Sequence, residues 1–184
     1  MAKHVVVDCE GSGPCPGYGC MINFGAFVVE EPLERGFASP IIEPYCDRFD
    51  AAAYDFMGLD LEKHRAAAEC TLAEAMQQFG EWLSGISKER LVFWSDNPAY
   101  DWQWINHGFA VAGIANPFGF SARRIGDLYA GTMKTPGDHN SWRKFKITPH
   151  DHDPLNDAKG NAEALLEVLR LNDDLKWLRR QNDG

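Results

Sequence analysis

A few residues of this chain have types and spacings that suit acid–base or metal chemistry. Asp8 and Glu10 stand two apart at the end of the apolar run Val5-Val6-Val7. Alternate side chains of a strand share a face, so the two carboxylates project together while Cys9 points the other way. Held side by side at the mouth of an apolar strand they repel, and an oxygen-seeking cation such as Mg²⁺ or Mn²⁺ would offset that; the alternative is a pair of solvated carboxylates on a loop edge. Asp101 falls about one turn into the segment that opens at Pro98, on the stripe shared with Ile105 and Ala112, so it should face the sheet, where an unpartnered carboxylate is costly. Asp157 precedes Ala158 on the buried side of a helix starting at Pro154. His152, on the loop before it, is placed to act as a general base. His150 competes for that role, although a loop histidine is as readily a mere surface group. Asp96 and Asn97 have a ready alternative as helix caps.

The elements that must position these residues are legible from periodicity. Strands are expected at Val5 to Val7, Met21 to Val29 and Phe37 to Tyr45, the last pushed toward a sheet edge by Pro40 and Pro44. Residues 46–68 read as a loop with one short helix. Leu72, Met76, Phe79, Leu83 and Ile86 step by four, three, four and three, and Thr71 with Glu74 forms a capping box, which predicts a helix over 72–86. A buried strand at Leu91 to Trp94 then leads into a helix from Pro98 to about Ala112 with proline in its first turn. Arg124 to Tyr129 reads as a further short strand. The helix from Pro154 carries Ala158, Ala162, Leu165 and Leu169 on one face, with a second helical piece near Leu175 to Arg180. Strands first, then helix and strand in alternation, specify an α/β fold on a mixed sheet, and no linker or repeat divides residues 1–184 into more than one domain.

Asp8-x-Glu10, then Asp101 in the helix after the fourth strand, then His152-x-x-x-x-Asp157 resemble, in order and context, the three motifs of the DEDDh 3′–5′ exonucleases. That superfamily includes RNase T, oligoribonuclease and the proofreading subunit of the bacterial replicative polymerase. The run Ser95-Asp96-Asn97-Pro98-Ala99-Tyr100-Asp101 is most similar to the phage exodeoxyribonuclease A and mycobacterial exoribonuclease branch. Two departures stand out: Asp96-Asn97 where most relatives have His-Asn, and Asp-Cys-Glu-Gly-Ser where Asp-x-Glu-Thr-Thr/Gly is more frequent. The resemblance covers residues 4–171 and implies a ribonuclease H-like fold, with a mixed five-stranded sheet of three antiparallel strands and then two parallel ones, flanked by helices. It also implies that Asp8, Glu10, Asp101 and Asp157 hold two divalent cations, Mg²⁺ or Mn²⁺, and that His152 is the base. The activity implied is removal of nucleoside 5′-monophosphates from the 3′ end of short or single-stranded RNA or DNA, with Asn97 as a candidate substrate contact. Homodimers are common among such relatives.

Charge sharpens the reading. The chain has 18 basic and 27 acidic residues among 184, a formal balance of −9, which excludes a protein that relies on a broad basic footprint to grip many phosphates. Yet residues 121–147 hold Arg123, Arg124, Lys134, Arg143, Lys144 and Lys146 against Asp127 and Asp138, a block of +4 in a remainder of −13. Trp142 and Phe145 interleave with Arg143, Lys144 and Lys146, the composition of a platform that stacks bases of a single strand, or equally of an ordinary solvated segment with buried rings. The five cysteines show no zinc-finger spacing and read as reduced thiols. No apolar run is long enough to span a membrane and no leader pattern is readable, so a cytoplasmic protein is expected. Two other classes compete: a non-catalytic nucleic-acid-binding module on the same fold, which loss of a carboxylate or the histidine would favour, and a glycosidase using Asp8 and Glu10, which leaves Asp101, His152 and Asp157 unexplained.

Overall fold

A computed structural model describes residues 2–182. The elements are β1 His4–Gly11, β2 Met21–Val28, β3 Gly36–Ala38, α1 Ala51–Phe56, α2 Leu61–Ala67, α3 Leu72–Ile86, β4 Val92–Ser95, α4 Pro98–Ala112, β5 Ala122–Arg124, α5 Ile125–Met133, a 3₁₀ turn at Ser141–Phe145, and α6 Pro154–Asn182. The five strands form one sheet in the order β3-β2-β1-β4-β5. β1 to β3 pair antiparallel, and β1, β4 and β5 run parallel. This is the α/β, ribonuclease H-like arrangement that the motif order implies.

The central strand divides the interior. Val5, Val7 and Cys9 face a core built with Leu72, Met76, Phe79 and Leu83 of α3 and Ile105 and Phe109 of α4. Val6 faces the opposite core, with Trp94, Ile125, Ala158, Ala162 and Leu165. Asp8 and Glu10 continue the Val6 face, so alternation alone turns them toward α6.

Both long predicted helices have the expected bounds. The Thr71 hydroxyl accepts from the Glu74 amide and the Glu74 carboxylate accepts from the Thr71 amide, a box whose loss costs about 1 kcal/mol. α4 opens with Pro98 and ends at Gly113, whose φ of 68° suits glycine.

Four local expectations are corrected. β3 stops at Ala38, and beyond Pro40 only an isolated bridge from Ile42 to Cys70 remains, because proline brings no ladder donor. The 46–68 segment holds two short helices, each capped by an aspartate, Asp50 and Asp60. Arg124 to Tyr129 is mostly helix: the edge strand ends at Arg124, and Ile125, Tyr129 and Thr132 are buried at a spacing of four and three. The piece near Leu175 to Arg180 is not separate, since α6 runs unbroken to Asn182. No helix among the described residues is long and apolar enough to cross a membrane.

Two glycines admit close packing around the last helix, one against the sheet and one against the 146–148 segment. A Cβ at Gly25, the residue paired with Asp8, would lie 2.3 Å from the Pro154 carbonyl oxygen. A Cβ at Gly160 would lie 2.6 Å from the Thr148 carbonyl oxygen. Without a side chain at either place, the first turn of α6 lies directly over β1 and β2, and the 146–148 segment lies directly on α6.

Candidate active site

Three carboxylates converge where the α6-facing side of β1 meets the start of α6. Ligand oxygens of Asp8, Glu10 and Asp157 all lie within 4.8 Å of one another. Asp157 is 1% exposed. Asp101 arrives from the other direction, in the first turn of α4, and is 3% exposed. Its Oδ1 accepts the Cys9 backbone N–H at 3.0 Å, which ties α4 to β1 between the two strand carboxylates. Its Oδ2 is buried without a well-formed hydrogen bond, with the Ser95 side chain a polar group that favours its charged form, a condition that a cation would relieve.

The electrostatics agree with that geometry. Burial, followed by repulsion from Asp101, Asp96, Asp157 and Glu10, holds the Asp8 carboxyl well above the usual carboxylate range. Glu10 is pushed up to about 7 by burial and by Asp157, with His150 pulling the other way. Burial likewise raises Asp101 well above its ordinary value. Asp8 and Glu10, each destabilised in its charged form, point oxygens with Asp157 at a common volume, an arrangement that suits a hard divalent cation, whose charge would reverse those shifts. The donor set therefore fits such ions.

His152 stands over this group. Its backbone has φ 64°, in the left-handed region, a conformation that costs a non-glycine residue about 1–3 kcal/mol and needs support from its surroundings. Its neighbours supply that support. The Asp153 carboxylate accepts the Leu155 and Asn156 amides and so caps α6, while Asp151 accepts the Asp153 amide and the Asn156 side-chain amide. His152 Nδ1 lies 4.0 Å from Glu10 Oε1. His150 is in the same place: its Nδ1 is 2.6 Å from Asp157 Oδ2, and its ring meets His152 edge-on at 4.1 Å between centroids.

The loop that carries both histidines is fixed by a residue not singled out from the sequence. Glu163, nearly buried, accepts the Ile147 and Thr148 amides at 2.7 Å each and the Thr148 hydroxyl at 2.9 Å. It lies on α6 beyond Asp157 and Gly160, at successive spacings of three, so one edge of the helix holds the site and its loop. The signal was available: Glu163 interrupts the apolar stretch Ala162 to Val168, much as Asp101 interrupts its own stripe.

Beside the carboxylates lies a cavity of about 630 Å³ lined by Asp96, Arg143, Lys146, Thr148 and His150. Asn97 is the N-cap residue of α4, but its side chain makes no capping hydrogen bond. Asp96 Oδ2 lies 3.6 Å from Arg143 and its backbone oxygen accepts from Arg124, and Asn97 is exposed. Burial lowers the Lys146 ammonium while Asp96, Asp157 and Asp8 pull it upward, so this cation faces the same acidic group. A larger cavity of about 790 Å³, lined by residues including Leu83, Arg90 and Ile114, holds none of the candidate residues.

The aromatic part of the expected platform is corrected. Trp142 is 1% exposed, and its indole N–H donates to the His139 carbonyl. A ring so enclosed supports other groups rather than stacking a base: Arg143 and Lys146 sit over it at 5.4 and 5.3 Å. Phe145 is half-buried against Tyr129, and Lys144 donates to the Tyr129 hydroxyl, so this pair turns away from the cavity. The apolar group displayed at the cavity is Ile147, 85% exposed. The 11–20 loop is closed at its base by Ser12, whose amide donates to the Cys20 carbonyl and whose hydroxyl accepts the Cys20 amide.

The family model for the 3′-5′ exoribonuclease Rv2179c-like domain matches residues 51–169. A 3′-5′ DNA exonuclease Cap18 from Escherichia coli is 35% identical, with 94% of each chain covered. Among solved structures, the nuclease domain of 3′hExo, a DEDDh family member bound to rAMP, superposes with a TM-score of 0.71 at 14% identity over 91% of this chain and 92% of that one. E. coli Exonuclease I in complex with a dA16 oligonucleotide superposes with a TM-score of 0.62 at 14% identity, over 95% of this chain and 43% of its own.

Proposed function

This chain belongs to the 3′-5′ exoribonuclease Rv2179c-like family and is a 3′-5′ exonuclease, and we propose that it acts as one domain using two divalent cations, Mg²⁺ or Mn²⁺, with His152 as general base. The observation that carries this reading is the convergence of Asp8, Glu10 and Asp157, with Asp101 tied in through Cys9, beneath a histidine held in a left-handed turn. Bound there, two such cations would generate hydroxide from water near neutral pH and stabilise the departing 3′ oxygen.

The chain's own groups do the rest. The four carboxylates hold and orient the site and would formally balance the charge of two divalent cations, so the attraction for phosphate comes from Arg143 and Lys146 beside them and from coordination positions the carboxylates do not fill. The His152 ring takes the proton of the attacking water, a role that an imidazole suits because its ordinary pKa lies close to neutrality. Arg143 and Lys146, steadied on the Trp142 ring, draw the phosphates of the strand into the adjoining cavity. Asn97, exposed at the head of α4 next to Asp96 of that cavity, is available to contact the strand. A cavity with two basic side chains suits a single strand of RNA or DNA better than a duplex, whose grip calls for a broad basic face.

The test uses oligonucleotides of RNA and of DNA labelled at either end, with Mg²⁺, with Mn²⁺ and with EDTA. Stepwise shortening from the 3′ end to nucleoside 5′-monophosphates, abolished by EDTA, is expected. Internal cuts, or hydrolysis that survives chelation, would refute the mechanism.

A further inference from the structure

His150, the histidine that the proposed mechanism does not use, belongs to a second donor cluster. Its ring nitrogen, one from His152 and a carboxylate oxygen of Asp157 lie within 4.8 Å of one another. The set differs in kind from the oxygen donors of Asp8, Glu10 and Asp157. Two imidazole nitrogens and a carboxylate suit zinc and its neighbours, whereas Mg²⁺ favours oxygen alone. The cluster is also accessible from one side and anchored on the other. The His150 side chain is 55% exposed while that of Asp157 is 1% exposed, and the loop is pinned from below by Glu163 and from the helix end by Asp151 and Asp153.

We propose that His150, His152 and Asp157 form a transition-metal site that takes Zn²⁺, with water completing its coordination, and that zinc bound there inhibits the exonuclease. Only the inhibition rests on the proposed mechanism; the binding rests on the cluster itself. Zinc at this position engages a ring nitrogen of His152 and so makes the imidazole a poorer proton acceptor. It also engages Asp157, so this site and the all-oxygen set compete for one carboxylate. Imidazole suits zinc, whereas magnesium prefers carboxylate, carbonyl and water oxygens, so zinc competes here in the presence of excess magnesium.

The experiment measures zinc binding to the full chain without magnesium, by competition with a chromogenic chelator, and uses Co²⁺ absorption to report tetrahedral nitrogen ligation. Expected are one tight equivalent with visible cobalt bands, a loss of affinity on the order of ten-fold or more in His150→Ala, and binding within about two-fold of wild type in Asp8→Asn. His150 is a half-exposed loop residue, and thermal unfolding checks that its variant folds. In the activity arm, each protein is normalised to its own rate with Mg²⁺, and His150→Ala is expected to need at least as large a factor more zinc for half inhibition. Undiminished zinc binding by His150→Ala, or weakened binding by Asp8→Asn instead, would put the ion among the oxygen ligands and overturn the proposal. A chain that binds zinc as expected yet hydrolyses nothing with Mg²⁺ would refute the proposed mechanism and leave the site standing.

Discussion

The two faces of β1 have opposite compositions along the same eight residues. One face, Val5, Val7 and Cys9, is apolar to its end and packs into the α3 and α4 core. The other carries His4 and Val6 and then presents Asp8 and Glu10 to α6. The first face is what a strand does when stability alone is served. The second replaces core with repelling charge, and the protein must support it elsewhere: through Gly25, which admits α6, through the Asp153 cap, and through Glu163. Under the proposed mechanism the difference separates folding from function within a single strand, because the groups that destabilise the metal-free protein are the ones assigned its chemistry.

The contrast is broken most severely by substitutions at its charged side. Asp157→Ala should abolish turnover in the labelled-oligonucleotide assay while leaving the fold intact by circular dichroism; a fully active variant would refute the assignment. His152→Ala should lower kcat by about 10²–10⁴-fold, the range for loss of a general base, with metal binding retained. The apolar face should answer in the opposite way. Phe79→Ala, at a fully buried ring against Phe24 and Phe109, should cost about 3–5 kcal/mol in denaturant unfolding while the rate per folded molecule stays near that of wild type.

A pH series sharpens the comparison. Glu10 titrates at about 7 in the folded chain, above its ordinary 4.5, so between those values the folded state holds a proton that the unfolded state has released. Stability from this group is therefore fully present below about 4.5 and is lost as pH rises toward 7. The raised Asp8 and Asp101 act in the same direction. Thermal unfolding in EDTA should show the midpoint falling as pH rises through this window, and Mg²⁺ should diminish the fall; a midpoint that rises would contradict the repulsion. The smallest effects belong to Arg143 and Lys146. Alanine at either should raise KM several-fold, leave kcat little changed and reduce the salt dependence of binding by about one unit of slope.

How much of this was legible in the sequence depended on whether the determinants are local. The α3 stripe with its Thr71 box, and α4 between Pro98 and Gly113, carry their own start and stop signals, and both helices have the predicted bounds. The Asp8 and Glu10 face followed from strand alternation alone. α5 was misread because Ile125 and Tyr129 fit a short strand as well as a helix until tertiary burial selects the period. Trp142 was misread because composition reveals which rings lie near cations and not which are enclosed; only the His139 contact and its burial show that. Glu163 and Gly160 act across a gap of about fifteen residues on the 146–148 segment, and no local pattern encodes that pairing. The acidic total of −9 is compatible with a 3′-5′ exonuclease because the charge is unevenly placed, with carboxylates gathered at one strand end and Arg143 and Lys146 beside them.

The central claim, that the α6-facing carboxylates of β1 hold the catalytic ions, is tested most directly by counting them. Mn²⁺ bound at equilibrium, read by electron paramagnetic resonance on the same preparations used for hydrolysis, should reach two ions per chain in the wild type and fall in Asp8→Asn and Asp157→Asn together with stepwise 3′ shortening. A wild-type chain that shortens oligonucleotides while binding no Mn²⁺, or variants that keep both ions and full activity, would contradict it.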